Sequence, residues 1–289
     1  MKINLAKSAG FCFGVKRAIE IALQTARSNK PQPCAEGQAK NVYLLGDIVH
    51  NEDVVEQIRR TGIKKIKKLT SGKNKTLLIR AHGADLDTFR QAERLKYKII
   101  DATCPMVKEI HKIARENEGR GYKIVVIGDK KHDEVLGIVG QLKTKAIVID
   151  EPQNIPWLEI KKIEKACVVV QSTQNIDNAQ RIVDILRPIF KELKFSNTIC
   201  RPTQLKQEEI RTMPKENDLM IIIGSKKSAN TRRLYEISKS LNKYSYWVES
   251  KRGIKPAWFK EAKSVGVTAG ASTPDSTTQE VIAYLKQIT

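Results

Sequence analysis

Three cysteines of the 289-residue chain occupy places where their chemistry could be shared. Cys12 ends KINLAKSAGFC, Cys104 ends YKIIDATC and Cys200 ends KFSNTIC; 92 residues separate the first two and 96 the second two. A lone cysteine is most often a small buried hydrophobe. Cys167, at the head of an apolar run, reads that way, and Cys34, beside Pro33, reads as an incidental loop thiol. Three thiols in register need a common cause. Structural zinc usually takes four ligands and shows a close Cys-x-x-Cys pair, which this sequence lacks, and a nucleophilic cysteine needs only one copy. Soft sulfur donors suit an iron-sulfur cluster. A four-iron cluster held by three thiolates keeps one iron without a protein ligand, a Lewis acid for a substrate oxygen as well as an electron store.

A second set of side chains follows apolar runs. VYLLGDIVH places His50 four residues after Gly46, IVVIGDKKH places His132 four after Gly128, and MIIIGSKKS places Ser228 four after Gly224. Further apolar segments end in LLIRAHG with His82, VVVQSTQ with Ser172, and GVTAGASTP with Ser272. Three of the four histidines thus fall in such loops, and Ser228, Asn230 and Ser272 stand in for imidazoles in the last third. These donors carry little fixed charge. Assisted by backbone N–H groups at helix starts and by small residues such as Gly270 and Ala271, they suit phosphate oxygens. His111, inside a helical pattern, reads as structural. Glu134, two residues after His132, becomes a proton donor if it is desolvated beside a polyanion, which would raise its pKa; the Gln171-Ser172-Thr173 loop offers hydroxyls to orient it. Asp47 and Glu52 are weaker acid candidates, selected only by their nearness to His50.

The elements that must carry these residues repeat three times. Each cysteine is followed by a helix-like stretch: Val15, Ala18, Ile19, Ala22 and Leu23 in the first, and Val107, Ile110 and Ala114 behind Pro105 in the second. The third, Leu205 through Ile210, is the least regular. From cysteine to strand-ending glycine there are 24 residues in the second and third copies and 34 in the first, so the turn-rich stretch from Asn29 to Asn41 holds an inserted loop. Strand, helix, strand, helix, strand, three times over, predicts an α/β protein of three lobes with mainly parallel sheets, at residues 1–97, 98–193 and 194–289. Ligands of such sheets bind beyond the carboxyl ends of the strands. A pseudo-threefold arrangement would gather all these loops around one central cavity.

Composition removes several function classes. Lys and Arg number 52 against 32 Asp and Glu, a net +20, with 40% apolar and 29% charged residues. Thirty-six of the basic residues are lysines and only 6% of residues are aromatic, a poor basis for stacking nucleic-acid bases. A lysine-rich solvated surface explains the charge, and an anionic substrate or acidic partner would also benefit from it. No apolar run reaches the roughly 18 residues of a membrane span. MKINLAKSAGFC does not read as a secretory signal, so a cytoplasmic protein with reduced thiols is expected.

The ordered motifs GFCFGVKRAI (10–19), VHNEDVV (49–55), RAHG (80–83), DATCPMV (101–107), HDEVLG (132–137), TIC (198–200), GSKKSANTRRL (224–234) and GVTAGASTP (266–274) resemble the LytB-type family of 4-hydroxy-3-methylbut-2-enyl diphosphate reductases nearly end to end. The resemblance implies a trefoil of three α/β lobes around one [4Fe-4S] cluster with an open iron. It implies Cys12, Cys104 and Cys200 as cluster ligands, His50, His82, His132, Ser172, Ser228, Asn230 and Ser272 as substrate contacts, and Glu134 as proton relay. Two positions depart from the family pattern: Ser172 stands where a threonine is usual, and Ala229 where a second serine is common. The implied reaction is reductive dehydroxylation of the allylic alcohol diphosphate to isopentenyl and dimethylallyl diphosphates, the last step of the non-mevalonate isoprenoid pathway. The implied electron donor is a small acidic ferredoxin or flavodoxin; from composition neither a nucleic acid nor a membrane is expected as partner, and a monomer is the expectation where the sequence leaves the oligomeric state open. A relative acting on another anionic substrate, and a basic nucleic-acid-binding protein with a structural metal, are the alternatives that turnover and salt-dependent binding separate.

Overall fold

A computed structural model describes residues 1–29 and 41–288; Cys34 and most of the inserted loop lie outside them. The chain opens with β1 (Lys2–Leu5) and α1 (Phe13–Ser28), then β2 (Val42–Leu45), α2 (Glu52–Arg60), β3 (Lys64–Ile66), β4 (Thr76–Ile79), α3 (Leu86–Arg94) and β5 (Lys98–Asp101). It continues through α4 (Pro105–Gly119), β6 (Lys123–Ile127), α5 (Asp133–Val139), β7 (Ile147–Ile149), α6 (Trp157–Ile160), β8 (Lys165–Val170), α7 (Ile176–Leu186) and β9 (Glu192–Ser196). It ends with α8 (Arg201–Glu216), β10 (Leu219–Ile223), α9 (Ala229–Leu241), β11 (Ser245–Val248), β12 (Ser264–Ala269) and α10 (Asp275–Ile288).

The strands form three four-stranded sheets in which every pairing is parallel. Their orders are β1-β12-β10-β11, β5-β4-β2-β3 and β9-β8-β6-β7. In each, the edge strand leads to a cysteine, its neighbour to a polar loop, and the next to the glycine turn. The three α/β lobes with parallel sheets expected from the repeat are therefore present. Their phase differs from a division at 97/98 and 193/194. β5, which leads to Cys104, pairs with β4, and β9, which leads to Cys200, pairs with β8; β1 pairs with β12 near the other end of the chain. Each of β5 and β9 closes a β-α-β unit through α3 or α7 onto the strand just before it, the adjacency that short crossovers favour. A repeat in sequence has no marked beginning, so pairing alone sets where one lobe stops.

The chain divides into two compact units: Met1–Lys16, His50–Val55 and Cys200–Thr289 form one, and Arg17–Val49 with Glu56–Ile199 form the other. The first holds the sheet β1-β12-β10-β11 and the second holds the other two. Strands covered on both faces should be apolar throughout, and β4 and β10 are buried at every position. In the third sheet Val125, Ile127, Val168 and Val170 pack on one side, while Ile124, Val126, Cys167 and Val169 pack on the other. Cys167 lies in this core, where burial pushes its thiol above the ordinary value. Each such side chain contributes roughly 1.5–3 kcal/mol on burial. Among the described residues no helix is long and apolar enough to cross a membrane.

Candidate active site

All three cysteines stand at a strand-to-helix turn, each at the last position before a helix. The Cys12 carbonyl accepts from Lys16 N–H (3.0 Å), Cys104 from Lys108 (3.0 Å) and Cys200 from Gln204 (3.1 Å), the first hydrogen bonds of α1, α4 and α8. Proline at the first or second position of α4 and α8 suits those starts, because its missing N–H would have no helical partner there. Cys12 and Cys104 are also tied back to their own sheets: Cys12 N–H donates to Ala271 (3.0 Å) and Cys104 N–H to Ala81 (2.9 Å). All three cysteines are half-buried. Sulfur donors at helix starts match what an iron-sulfur cluster asks of a protein, since thiolate is the softest ligand available and the helix start favours negative charge. The residues present fit that group.

In the first unit, the donor-rich loops follow β10 and β12. Ser228 caps α9, its hydroxyl oxygen accepting from Thr231 N–H at 3.3 Å. Asn230 is 3% exposed, and neither its Oδ1 nor its Nδ2 has a hydrogen-bond partner among the described residues. An amide buried with both ends unsatisfied costs several kcal/mol unless something occupies its donors and acceptors. The Thr231 hydroxyl is likewise buried and unpartnered. A Cβ at Gly270 would lie 2.0 Å from that hydroxyl, so only glycine allows the backbone after β12 to come so close. The Ser272 hydroxyl donates to the His50 carbonyl (3.1 Å), and Lys227 pairs with Glu52 (2.9 Å). Glu52 is thereby a partner for lysine rather than an acid.

In the second unit, α5 and the loop after β8 assemble an acid. Glu134 is 1% exposed; its Oε1 accepts from the Ser172 N–H (2.6 Å) and its Oε2 from the Ser172 hydroxyl (2.8 Å). Burial pushes the carboxyl above the ordinary carboxylate value, opposed by both Ser172 hydrogen bonds. Among the described residues desolvation is the cause of the rise. The hydroxyl retained at Ser172, where threonine is usual, is the one bonded to Glu134. Gln171 pins the same loop, accepting from Asp129 N–H (2.9 Å) and donating to the Thr173 hydroxyl (3.0 Å). His132 caps α5 through Nδ1, which accepts the Glu134 N–H at 3.1 Å. The His82 ring meets that of His132 edge-on at 5.4 Å between centroids. Two contacts hold their loops together: Leu86 N–H donates to Gly140 (3.0 Å) and the Gln141 amide to the Ala84 carbonyl (2.8 Å). Arg80 and Asp133, flanking the two histidines, form a partly buried ion pair at 2.6 Å. Asp47 pairs with Lys65 (2.6 Å) instead of serving as an acid. His111 is buried on α4, where burial, aided by the nearby Arg115 charge, pulls it down to about 4 and keeps it neutral.

Three members of this arrangement have no motif in the sequence that singles them out. Lys206 is 2% exposed and its ammonium donates to the carbonyls of Ser8, Gly10 and Ala269; burial pulls it down to about 8. Glu209 accepts from the N–H groups of Lys7 and Ser8, and Thr231 contributes its hydroxyl. The signal that would have found Lys206 is the helical period itself. The buried face of α8 is Thr203, Lys206, Gln207, Ile210 and Pro214, while Leu205 is exposed. That helix reads as irregular only when apolar residues are counted.

Three parallel sheets, each ending in a thiol turn and a loop of neutral donors, with a buried carboxyl nearby in one of them, define a three-lobed α/β oxidoreductase. The chain belongs to the LytB protein family, whose model matches residues 3–286, a family of iron-sulfur enzymes. A relative from Aquifex aeolicus (strain VF5), a 4-hydroxy-3-methylbut-2-enyl diphosphate reductase by name, is 39% identical over 99% of this chain and 96% of its own length. One of the same name from Clostridioides difficile (strain 630) is 36% identical over the full length of both. A solved structure of (E)-4-hydroxy-3-methyl-but-2-enyl diphosphate reductase, the terminal enzyme of the non-mevalonate pathway, shares 37% identity at a TM-score of 0.71, covering 99% of this chain and 100% of that one. The reductase from Plasmodium falciparum shares 26% at a TM-score of 0.88, covering 99% and 88%.

Proposed function

We propose that this chain reduces 4-hydroxy-3-methylbut-2-enyl diphosphate, removing its hydroxyl as water with two electrons and two protons to give isopentenyl and dimethylallyl diphosphates. Full-length likeness to reductases of that name supports the reaction. Within the chain, the observation that carries it is the Glu134 carboxyl, buried and held at both oxygens by Ser172. A carboxyl whose pKa is raised by burial keeps a proton near neutral pH and can give it to a departing hydroxide, which is a poor leaving group until protonated.

Cys12, Cys104 and Cys200 would hold one [4Fe-4S] cluster with three thiolate ligands. When bound, that group supplies the electrons and a Lewis-acidic iron for the alcohol. The chain's other residues bind, orient and protonate. His50, His82, His132, Ser228, Asn230 and Ser272 take the diphosphate through neutral donors and through the empty hydrogen-bonding capacity of Asn230. Ala229 leaves its own backbone N–H as its contribution. Diphosphate contacts change little as the C–O bond breaks, so they anchor the substrate and fix the alcohol near Glu134 without contributing much to the barrier. Ser172 orients Glu134 and stands by as a contact for the substrate alcohol. A monomeric cytoplasmic enzyme served by a small acidic ferredoxin or flavodoxin fits the reduced thiols and the +20 charge.

The test is anaerobic purification followed by iron and sulfide analysis, optical and spin-resonance spectra, and turnover of the allylic diphosphate with an artificial reductant. A cluster with turnover supports the reading. Cluster-free protein after careful reconstitution, or full turnover by a Cys12→Ser, Cys104→Ser or Cys200→Ser variant, defeats it.

A further inference from the structure

Helix α8 does two jobs in the first unit. It starts at Cys200, and its buried face grips the segment that delivers Cys12. The Lys206 ammonium has three N–H bonds, and they go to three carbonyls: Ser8, Gly10 (3.0 Å) and Ala269 (3.1 Å). Glu209, one helical step later on the same face, takes the opposite polarity of the same segment. Its Oε1 accepts from Lys7 N–H (2.9 Å) and its Oε2 from Ser8 N–H (3.0 Å) and the Ser8 hydroxyl. Amides on a carboxylate and carbonyls on an ammonium leave the segment little freedom. Gly10 tightens it further: its φ of +90° is a backbone conformation that strains any residue with a side chain.

Core packing does not explain a lysine here. Burying an ammonium is costly and a methionine would fill the same volume, so the charge and its three donors have another use. Helix α8 carries both that ammonium and Cys200, and two of the carbonyls it holds, those of Ser8 and Gly10, lie just before Cys12. We propose that Lys206 and Glu209 are positioning residues for an iron-sulfur cluster: together they hold the Cys12 turn against the helix that bears Cys200, and their opposite charges set the cluster's reduction potential from two sides. The inference rests on the reading that these thiols hold a cluster. Outer partners of metal ligands act in this way, fixing ligand orientation and tuning the metal through charge and hydrogen bonds.

The experiment uses the anaerobically reconstituted full chain as wild type, Lys206→Met, Lys206→Arg and Glu209→Gln. Measured for each are the rate of cluster loss to an iron chelator, the cluster's midpoint potential by spectroelectrochemical titration, and the melting temperature of the cluster-free protein. Lys206→Met should lose its cluster about tenfold faster and titrate at a more negative potential, because a nearby positive charge no longer stabilises the reduced state. Glu209→Gln should also release the cluster faster but titrate at a more positive potential. Lys206→Arg should restore the sign of the wild-type charge and most of its potential. Opposite potential shifts cannot arise from loosened packing alone, and Glu209→Gln keeps the test alive if Lys206→Met fails to fold. Wild-type potential and cluster retention in both charge-removing variants, or shifts of the same sign, would overturn the positioning role while leaving the proposed function intact. A wild-type chain that takes up no cluster overturns the proposed function and this role with it.

Discussion

As the proposed proton donor, Glu134 would have to be buried to keep a proton and ionisable to give it away, and both requirements leave measurable traces. Replacing it with Gln keeps the size and one acceptor for Ser172 but removes the proton, so turnover should fall by about 10²-fold or more with the Michaelis constant little changed. An equal rise in the Michaelis constant at normal turnover would contradict the role. Stability should move the other way. An acid whose folded pKa lies above its unfolded one binds more protons when folded, so stability drops as pH rises from about 4.5 through the raised value. The melting temperature of Glu134→Gln should therefore exceed that of the native chain by a few degrees at neutral pH, with the gap closing toward pH 4. His111 carries the opposite sign. Its folded value of about 4 lies below its unfolded 6.5, so the unfolded chain binds the extra proton and stability rises with pH across that window, by at most about 3 to 4 kcal/mol at 1.36 kcal/mol per unit. Urea midpoints measured from pH 4 to 7 should lose part of their slope in His111→Leu; an unchanged slope would show that the imidazole does not titrate there. Glu134 and the loop histidines stand out as candidates in the sequence because their types and spacing carry meaning. Thr231 and the unsatisfied amide of Asn230 were not, since hydrogen-bond vacancy is a property of surroundings.

At the scale of elements, the cap residues explain how loops that carry function also end loops and start helices. Ser228 and His132 are both candidate ligand contacts and the caps of α9 and α5, so the polar residue four positions after Gly224 and after Gly128 also starts a helix; after Gly46 the cap comes one residue later, at Asn51, whose Oδ1 accepts from Val54 N–H (3.1 Å). Asn175 caps α7 without belonging to the site, accepting from Asp177 (2.8 Å) and Asn178 (3.1 Å) N–H. Asn175→Ala should cost about 1 kcal/mol and lower the melting temperature by a few degrees, as read by calorimetry; no change would mean that the helix start is held by packing alone. The strands β8 and β10 were plain in the sequence, because two-sided burial demands uninterrupted apolar runs. α8 was obscure for the complementary reason: its inward face is spent on polar contacts to backbone, so its period is written in Thr203, Lys206 and Gln207 rather than in leucines.

For the whole molecule the +20 charge is a field before it is a contact. If an acidic ferredoxin or flavodoxin is the donor, its rate of reducing this enzyme should fall about tenfold as ionic strength rises from roughly 20 to 300 mM, while a small-molecule reductant loses far less; stopped-flow mixing separates the two, and salt-independent transfer from the protein donor would remove steering from the account. The repeat of cysteine, glycine turn and donor loop determined the number of lobes, the parallel sheets and the place of the three cysteines at strand-to-helix turns, because covered strands and strand-end turns impose local patterns that survive in one dimension. Tertiary structure decided the rest. The pairing of β1 with β12 sets the phase of the lobes, and a partner strand at the far end of the chain leaves no mark on the strand it joins. Lys206 became a buried ammonium only because Ser8 and Gly10, 198 and 196 residues away, turn their carbonyls toward it. Desolvation and hydrogen-bond completion depend on which distant atoms come within 3 Å, and spacing along the chain does not encode that.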